Sequence, residues 1–109
     1  MVFPHEYKNK TLVVKIEERD DPLSEIFSDE FFGELIRLNV HGARAVAFDL
    51  TGKQYFNSAD LGVLIKIKDM LMDEGLELIL INTSDKTREL LQMVGLIDFF
   101  HLVEREQDI

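Results

Sequence analysis

The sequence predicts an α/β domain: a mixed sheet of four or five strands, with helices mainly on one face. Three observations carry that reading. Short apolar, β-branched runs alternate with helix-length segments. The connections between them are short. The runs Ala45–Leu50 and Leu76–Ile81 are too continuous to have one wet face and flank a long helix. Together they form a βαβ unit, expected to be parallel and right-handed. A chain of 109 residues has room for one core, so residues 1–109 read as one domain.

Taken in order, Thr11–Ile16 (TLVVKI) is a strand by its β-branched content. It is placed at an edge, pairing antiparallel. Glu17–Leu23 (EERDDPL) is a charged turn around Pro22, and its Asp20-Asp21 pair reads as solvated rather than metal-binding. Ser28 or Asp29 caps a helix that runs to about Asn39, with Phe32, Leu35 and Ile36 at core spacing. His41-Gly42 ends it. After the strand Ala45–Leu50 comes the long helix, Ser58 to Asp73, closed near Gly75. Leu76–Ile81 is the next buried strand. Ser84 caps a short helix that stops at Gly95, the usual C-terminal place for glycine. Phe99–Val103 adds a final strand or edge.

Composition excludes several functions. With 21 Asp and Glu against 12 Lys and Arg, the net charge is −9. Nucleic acid and anionic membrane are poor partners for such a chain, because phosphate binding relies on clustered Lys and Arg. The acidic balance either keeps a cytoplasmic domain soluble or steers it to a basic protein. No apolar run approaches the roughly 20 residues that span a bilayer. The opening MVFPHEYKNK lacks the basic-then-apolar order of a secretory signal, so cytoplasmic localisation is expected. Cysteine is absent, which excludes disulfides and thiolate metal sites.

No enzyme pattern emerges, and neither cofactor nor metal is expected. Ser58 lacks the Gly-x-Ser-x-Gly elbow of a nucleophile. His5, His41 and His101 lie in segments remote from it, without a motif around any of them. No Gly-rich phosphate loop and no His pair at metal-ligand spacing occurs.

The informative stretch is the start of the long helix. A serine there either caps the helix or carries a phosphate, because a helix N-terminus offers free N–H groups and the positive end of the macrodipole. Asn57 is also a good cap, and Asn57 with Asp60 three residues later makes a capping-box-like pair. On a helical wheel, the segment Leu61 to Glu74 has one narrow polar stripe: Gly62, Lys66, Asp69 and Asp73. Apolar residues fill roughly 220°, broken only by Lys68, where a surface helix needs little more than about 100°. Leu64, Ile67 and Leu71 can face the sheet. Either Leu61, Ile65 and Met72 or Val63, Ile67 and Met70 then flank Ser58 as a docking face, unless neighbouring segments cover them.

At these residues the chain resembles the STAS domain family, the fold of bacterial anti-sigma-factor antagonists. Phe48-Asp49-Leu50-Thr51 matches the strand end of the family pattern, and Asn57-Ser58-Ala59-Asp60-Leu61-Gly62 matches its helix-opening motif with two departures. Asn57 stands for the family's Asp and Asp60 for its Gly. Gly75, the strand after it, Asn82-Thr83-Ser84, Gly95-Leu96 and Phe99 match a second family feature. The resemblance implies a phosphoprotein of a partner-switching pathway that regulates transcription. Ser58 is the implied phosphoacceptor. An anti-sigma factor that is also a serine kinase is the implied partner, and a cognate phosphatase resets the switch. The partner-binding residues expected are Asn57, Ser58, Ala59, Asp60, Leu61 and Ile65. Asp60 beside Ser58 either serves the capping pair or stands as a charge that weakens kinase recognition, repels an incoming phosphate or imitates a partly phosphorylated surface. The alternative is a STAS scaffold without phosphorylation, as a subunit of a stressosome or a lipid-transport ABC complex. A weak homodimer is left open.

Overall fold

A computed structural model describes residues 3–16, 22–38 and 42–109. The chain opens with a hairpin of β1 (His5–Lys8) and β2 (Thr11–Lys15), turned by Asn9 and Lys10 at φ 50° and 61°. Positive φ at both loop residues is the primed turn whose twist suits a two-residue hairpin. β3 (Ala45–Asp49), β4 (Glu77–Ile81) and β5 (His101–Val103) follow, and the sheet runs β1-β2-β3-β4-β5. β1 pairs antiparallel with β2, and every other neighbour pair is parallel.

This corrects the placing of Thr11–Ile16 at an edge. β2 is internal, and the antiparallel edge belongs to β1, which the sequence reading missed. The reason is physical: His5, Glu6 and Tyr7 are all exposed. An edge strand dressed in polar side chains resists pairing with other chains but carries no apolar alternation to read.

Among the described residues, four α-helices complete the fold: α1 (Leu23–Ile26), α2 (Asp29–Leu38), α3 (Ser58–Asp73) and α4 (Asp85–Met93). The expected charged turn lies outside the described residues from Glu17 to Asp21, as do Asn39 and His41. From Pro22 onward that turn becomes α1, whose Leu23 and Ile26 are buried. The Ser28 hydroxyl accepts the Phe31 N–H at 3.2 Å, so Ser28 caps α2. The buried residues of α2 are Phe31 and Leu35, whereas Phe32 and Ile36 are half-buried. A ring cluster recruits Phe31: it packs 5.1 Å from Phe27, which stacks on Phe48 of β3 at 4.7 Å. α3 and α4 stop in the same way. Gly75 and Gly95 take φ 74° and 77°, and the following Leu76 and Leu96 N–H groups reach back to the Leu71 and Leu91 carbonyls.

The buried side chains of all four helices join one core on one sheet face, around Leu12, Val14, Val46, Phe48, Leu78 and Leu80. The other face presents Val13, Ala45, Ala47, Ile79 and Ile81, against which Val103 and Ile109 pack. Helices on one face and a mixed five-stranded sheet agree with the fold class read from the sequence. No helix among the described residues is long and apolar enough to cross a membrane.

Candidate functional site

The loops that leave the carboxyl ends of β3 and β4 build the site. β3 ends at Asp49, whose Oδ1 accepts the Thr51 N–H at 3.0 Å, the Thr51 hydroxyl at 2.7 Å and the Asn82 amide at 3.1 Å. Burial pushes this carboxyl upward, but the Thr51 hydroxyl and N–H and the Asn82 amide outweigh it and hold it below its ordinary value. Asn82 sits at φ 58°, a left-handed conformation that Asn tolerates better than most residues. One ionised carboxylate thus ties the end of β3 to the end of β4. Sequence spacing gives no sign of this bond, because its partners stand 33 residues apart.

The loop then runs to α3 and is pinned midway. The Gln54 carbonyl accepts the Ser84 hydroxyl at 2.7 Å, at the first turn of α4. Phe56 is buried and anchors the last residues before the helix, while Tyr55 beside it is exposed with the Lys86 ammonium 5.7 Å from its ring.

Asn57 caps α3. Its Oδ1 accepts the Asp60 N–H at 2.9 Å, and the Asp60 Oδ2 accepts the Asn57 N–H at 3.1 Å, which closes the capping box expected from the sequence. The second Asp60 oxygen accepts the Leu23 N–H at 3.1 Å, so the same carboxylate fastens α1 to α3. Asp60 is 4% exposed. Of the two readings the sequence left for Asp60, the structure matches the capping one and not a surface charge beside Ser58. Its oxygens point inward and are bound to backbone donors, a bond across 37 residues that no local pattern announces.

Ser58 is the first residue of α3 and is exposed, with Ala59 exposed next to it. Among the described residues, no group bonds the Ser58 hydroxyl. The Ser58 and Ala59 N–H groups are the open donors of the helix end, since the Asp60 and Leu61 N–H groups both bond to Asn57. A free hydroxyl beside two free N–H groups and the positive end of a 16-residue helix is a favourable seat for an anion.

The helix beyond is only partly covered. Leu61, Leu64, Ile67 and Leu71 are buried toward the sheet. Leu61, at 4% exposure, therefore belongs to the core and shapes the expected face from beneath. Ile65 is half-buried and packs on the core edge, and Met72 on that flank is 58% exposed. Lys68, the break in the apolar arc, places its ammonium 5.1 Å from the Phe99 ring. On the other flank Val63 and Met70 are half-buried and line a groove of about 230 Å³ with Phe27, Phe32 and Lys66. Both flanks offered by the sequence are thus partly open. His5 bonds to the Phe3 carbonyl and His101 to the Glu77 carboxylate, and neither bonds to Ser58.

Comparison with known proteins supplies the context. The STAS domain family model matches residues 8–109. The NMR structure of TM1081, a candidate anti-sigma factor antagonist from Thermotoga maritima, is 16% identical, with 99% of this chain and 85% of that one covered at a TM-score of 0.75. A serine-to-glutamate variant of RsbS from Moorella thermoacetica is 21% identical, with 98% and 90% covered at a TM-score of 0.71. The cell fate determinant SpoIIAA of Bacillus in its phosphorylated form is 16% identical, with 98% and 96% covered at a TM-score of 0.61. No curated protein matches the sequence significantly.

Proposed function

The chain belongs to the STAS domain family, and on that premise we propose that it is a regulatory protein-binding domain, an anti-sigma-factor antagonist switched by phosphorylation of Ser58. The observation that carries this reading is the unused hydroxyl. Asn57 and Asp60 do the capping, so Ser58 is exposed at a helix start with no structural duty. A phosphate there adds roughly −1.5 to −2 charge at one point. The free N–H groups and the helix dipole accommodate that charge, so the fold need not change while the docking surface does.

In the unphosphorylated state, the face formed by Asn57, Ser58, Ala59 and Ile65, supported by Asp60 and Leu61 beneath, binds an anti-sigma factor with serine-kinase activity. Phosphorylation places charge inside that contact and releases the partner, and a phosphatase restores it. The replacement of the family's Asp by Asn57 removes a carboxylate next to the phosphate. The inward turn of Asp60 removes the other expected source of repulsion. The net charge of −9 favours a partner with a basic docking surface.

The test is fragment mass analysis of the chain isolated from its native cells. One phosphate on the fragment containing Ser58, lost in Ser58→Ala, is the expected result. An unmodified Ser58, with stable co-purification of a stressosome component or a transporter ATPase, would reassign the chain to the unphosphorylated scaffold class.

A further inference from the structure

Beyond the carboxyl ends of β3, β4 and β5 lies a cleft of about 570 Å³, and none of the described residues that line it is apolar. Most of the side-chain donors around it are already committed. The Thr51 hydroxyl and the Asn82 amide bond to Asp49, and the Gln54 amide donates to the Thr51 carbonyl at 3.1 Å. Two donors are left over. The Oγ1 of Thr83, a residue only 7% exposed, and the Nε of half-buried Arg88 are both buried without a hydrogen-bond partner. Arg88 also forms no ion pair among the described residues, although Asp85 and Glu104 line the same cleft.

Buried polar groups in folded proteins are nearly always satisfied, so two unpaired donors on one cleft call for an acceptor. A carboxylate suits them. The Nε–H and an outer N–H of a guanidinium form a fork that receives two carboxylate oxygens side by side. The Thr83 hydroxyl can donate a third bond. No hydrogen bond among the described residues holds either side chain, so each can turn toward a ligand. A bare anion, however, meets an excess of like charge there. The lining holds one cation, Arg88, against the exposed carboxylates of Asp85 and Glu104. Like charges brought together at a binding surface are costly, which disfavours phosphate and favours a ligand with cationic groups of its own. The complement of this lining is one carboxylate and two cations.

We propose that this cleft binds a free basic amino acid. Its carboxylate meets the Arg88 guanidinium and the Thr83 hydroxyl. Its α-ammonium and its side-chain cation meet the carboxylates of Asp85 and Glu104. The volume falls within the roughly 300–1,000 Å³ of small-molecule sites. The lining comes from the ends of three strands and from α4, so an occupant bridges loops that the sheet alone leaves apart. The site is distinct from the start of α3 and does not depend on phosphorylation of Ser58.

Titration calorimetry of the natural chain with arginine tests the proposal, and backbone-amide NMR locates the binding. Saturable binding with a Kd below ~1 mM is expected. Amide signals of Asn82, Thr83, Asp85, Arg88 and Glu104 should shift, and those of Ser58 and Ala59 should not. Thr83→Val and Arg88→Gln should each weaken binding at least ~10-fold, as expected for a lost hydrogen bond to a charged group. Arginine amide, which lacks the carboxylate, should bind the natural chain no more tightly than it binds Arg88→Gln. If Thr83→Val does not fold, Glu104→Gln at an exposed position takes its place and should also weaken arginine binding. Absence of saturable binding, inorganic phosphate binding as tightly as arginine, or affinity indifferent to Arg88→Gln would overturn the proposal. So would signal shifts confined to Ser58 and Ala59.

Discussion

At the start of α4 the Ser84 hydroxyl accepts the Thr87 N–H at 3.2 Å and donates to the Gln54 carbonyl at 2.7 Å. At the start of α3 the cap is Asn57, and the hydroxyl of Ser58, one residue further in, bonds to nothing among the described residues. The two serines share a residue type and open neighbouring helices, which leave the β4 and β3 ends of one sheet. Their hydroxyls differ in what the fold asks of them. Ser84 caps its helix and pins the loop that leads to Ser58, so modifying it would unmake local structure. A charge placed on Ser58 would break none of the side-chain bonds that hold the helix. Hydrogen-bond accounting, rather than serine position alone, is what singles out Ser58 for the proposed switch.

The largest effect expected from breaking this contrast is at Asp60. Asp60→Gly restores the family residue but removes a buried carboxylate that accepts the Asn57 and Leu23 N–H groups. Bonds to a charged group contribute about 1.5–3 kcal/mol each, and a glycine inside a helix costs about 1 kcal/mol. Even with partial recovery through water, a loss of about 3 kcal/mol in urea-unfolding stability is expected. A stability change within ~0.5 kcal/mol would mean that the capping box does not support α3. Any change in phosphorylation of this variant has to be read against that loss, rather than as removal of a surface charge.

Ser84→Ala removes a cap and a loop tie and should cost about 1–2 kcal/mol. Ser58→Ala should stay within ~0.5 kcal/mol of the natural chain, the usual range for a surface change. The difference between their unfolding free energies at one temperature checks it. Equal costs would give Ser58 a structural role after all.

The smallest effect lies below both serines, at Asp49. Its carboxyl is held below its ordinary value by Thr51 and Asn82 against the opposing effect of burial. A depressed value means stability that is full above the unfolded-state value and is lost as pH falls through the folded one. Asp49→Asn should therefore flatten the acid limb of the stability–pH curve, as urea midpoints across an acid series would show. An unchanged limb would separate Asp49 from the junction of the two loops.

What the sequence made legible was local. The bounds of α3, the Asn57–Asp60 box and the glycine stops at Gly75 and Gly95 all rest on signals within one or two helical turns. What it concealed was distant or too short. α1 has four residues, and β1 has polar side chains and no apolar period. Phe31 displaced Phe32 in the core because an aromatic cluster assembled from three segments claimed it. At the site, Ser58 and its cap could be read directly. The inward turn of Asp60 could not, because its second partner, Leu23, comes from another helix 37 residues away. Nor could the burial of Leu61, since a wheel with apolar residues over most of its circumference leaves open which of them meet the sheet.

The most direct test is the affinity of the partner captured from native cells for two forms of the chain, one with Ser58 free and one phosphorylated at Ser58 alone. Both forms should unfold at closely similar urea concentrations. The expected result is a loss of at least ~100-fold in affinity on phosphorylation, about 2.7 kcal/mol at a desolvated contact. Equal affinity for the two forms would contradict Ser58 as the switch.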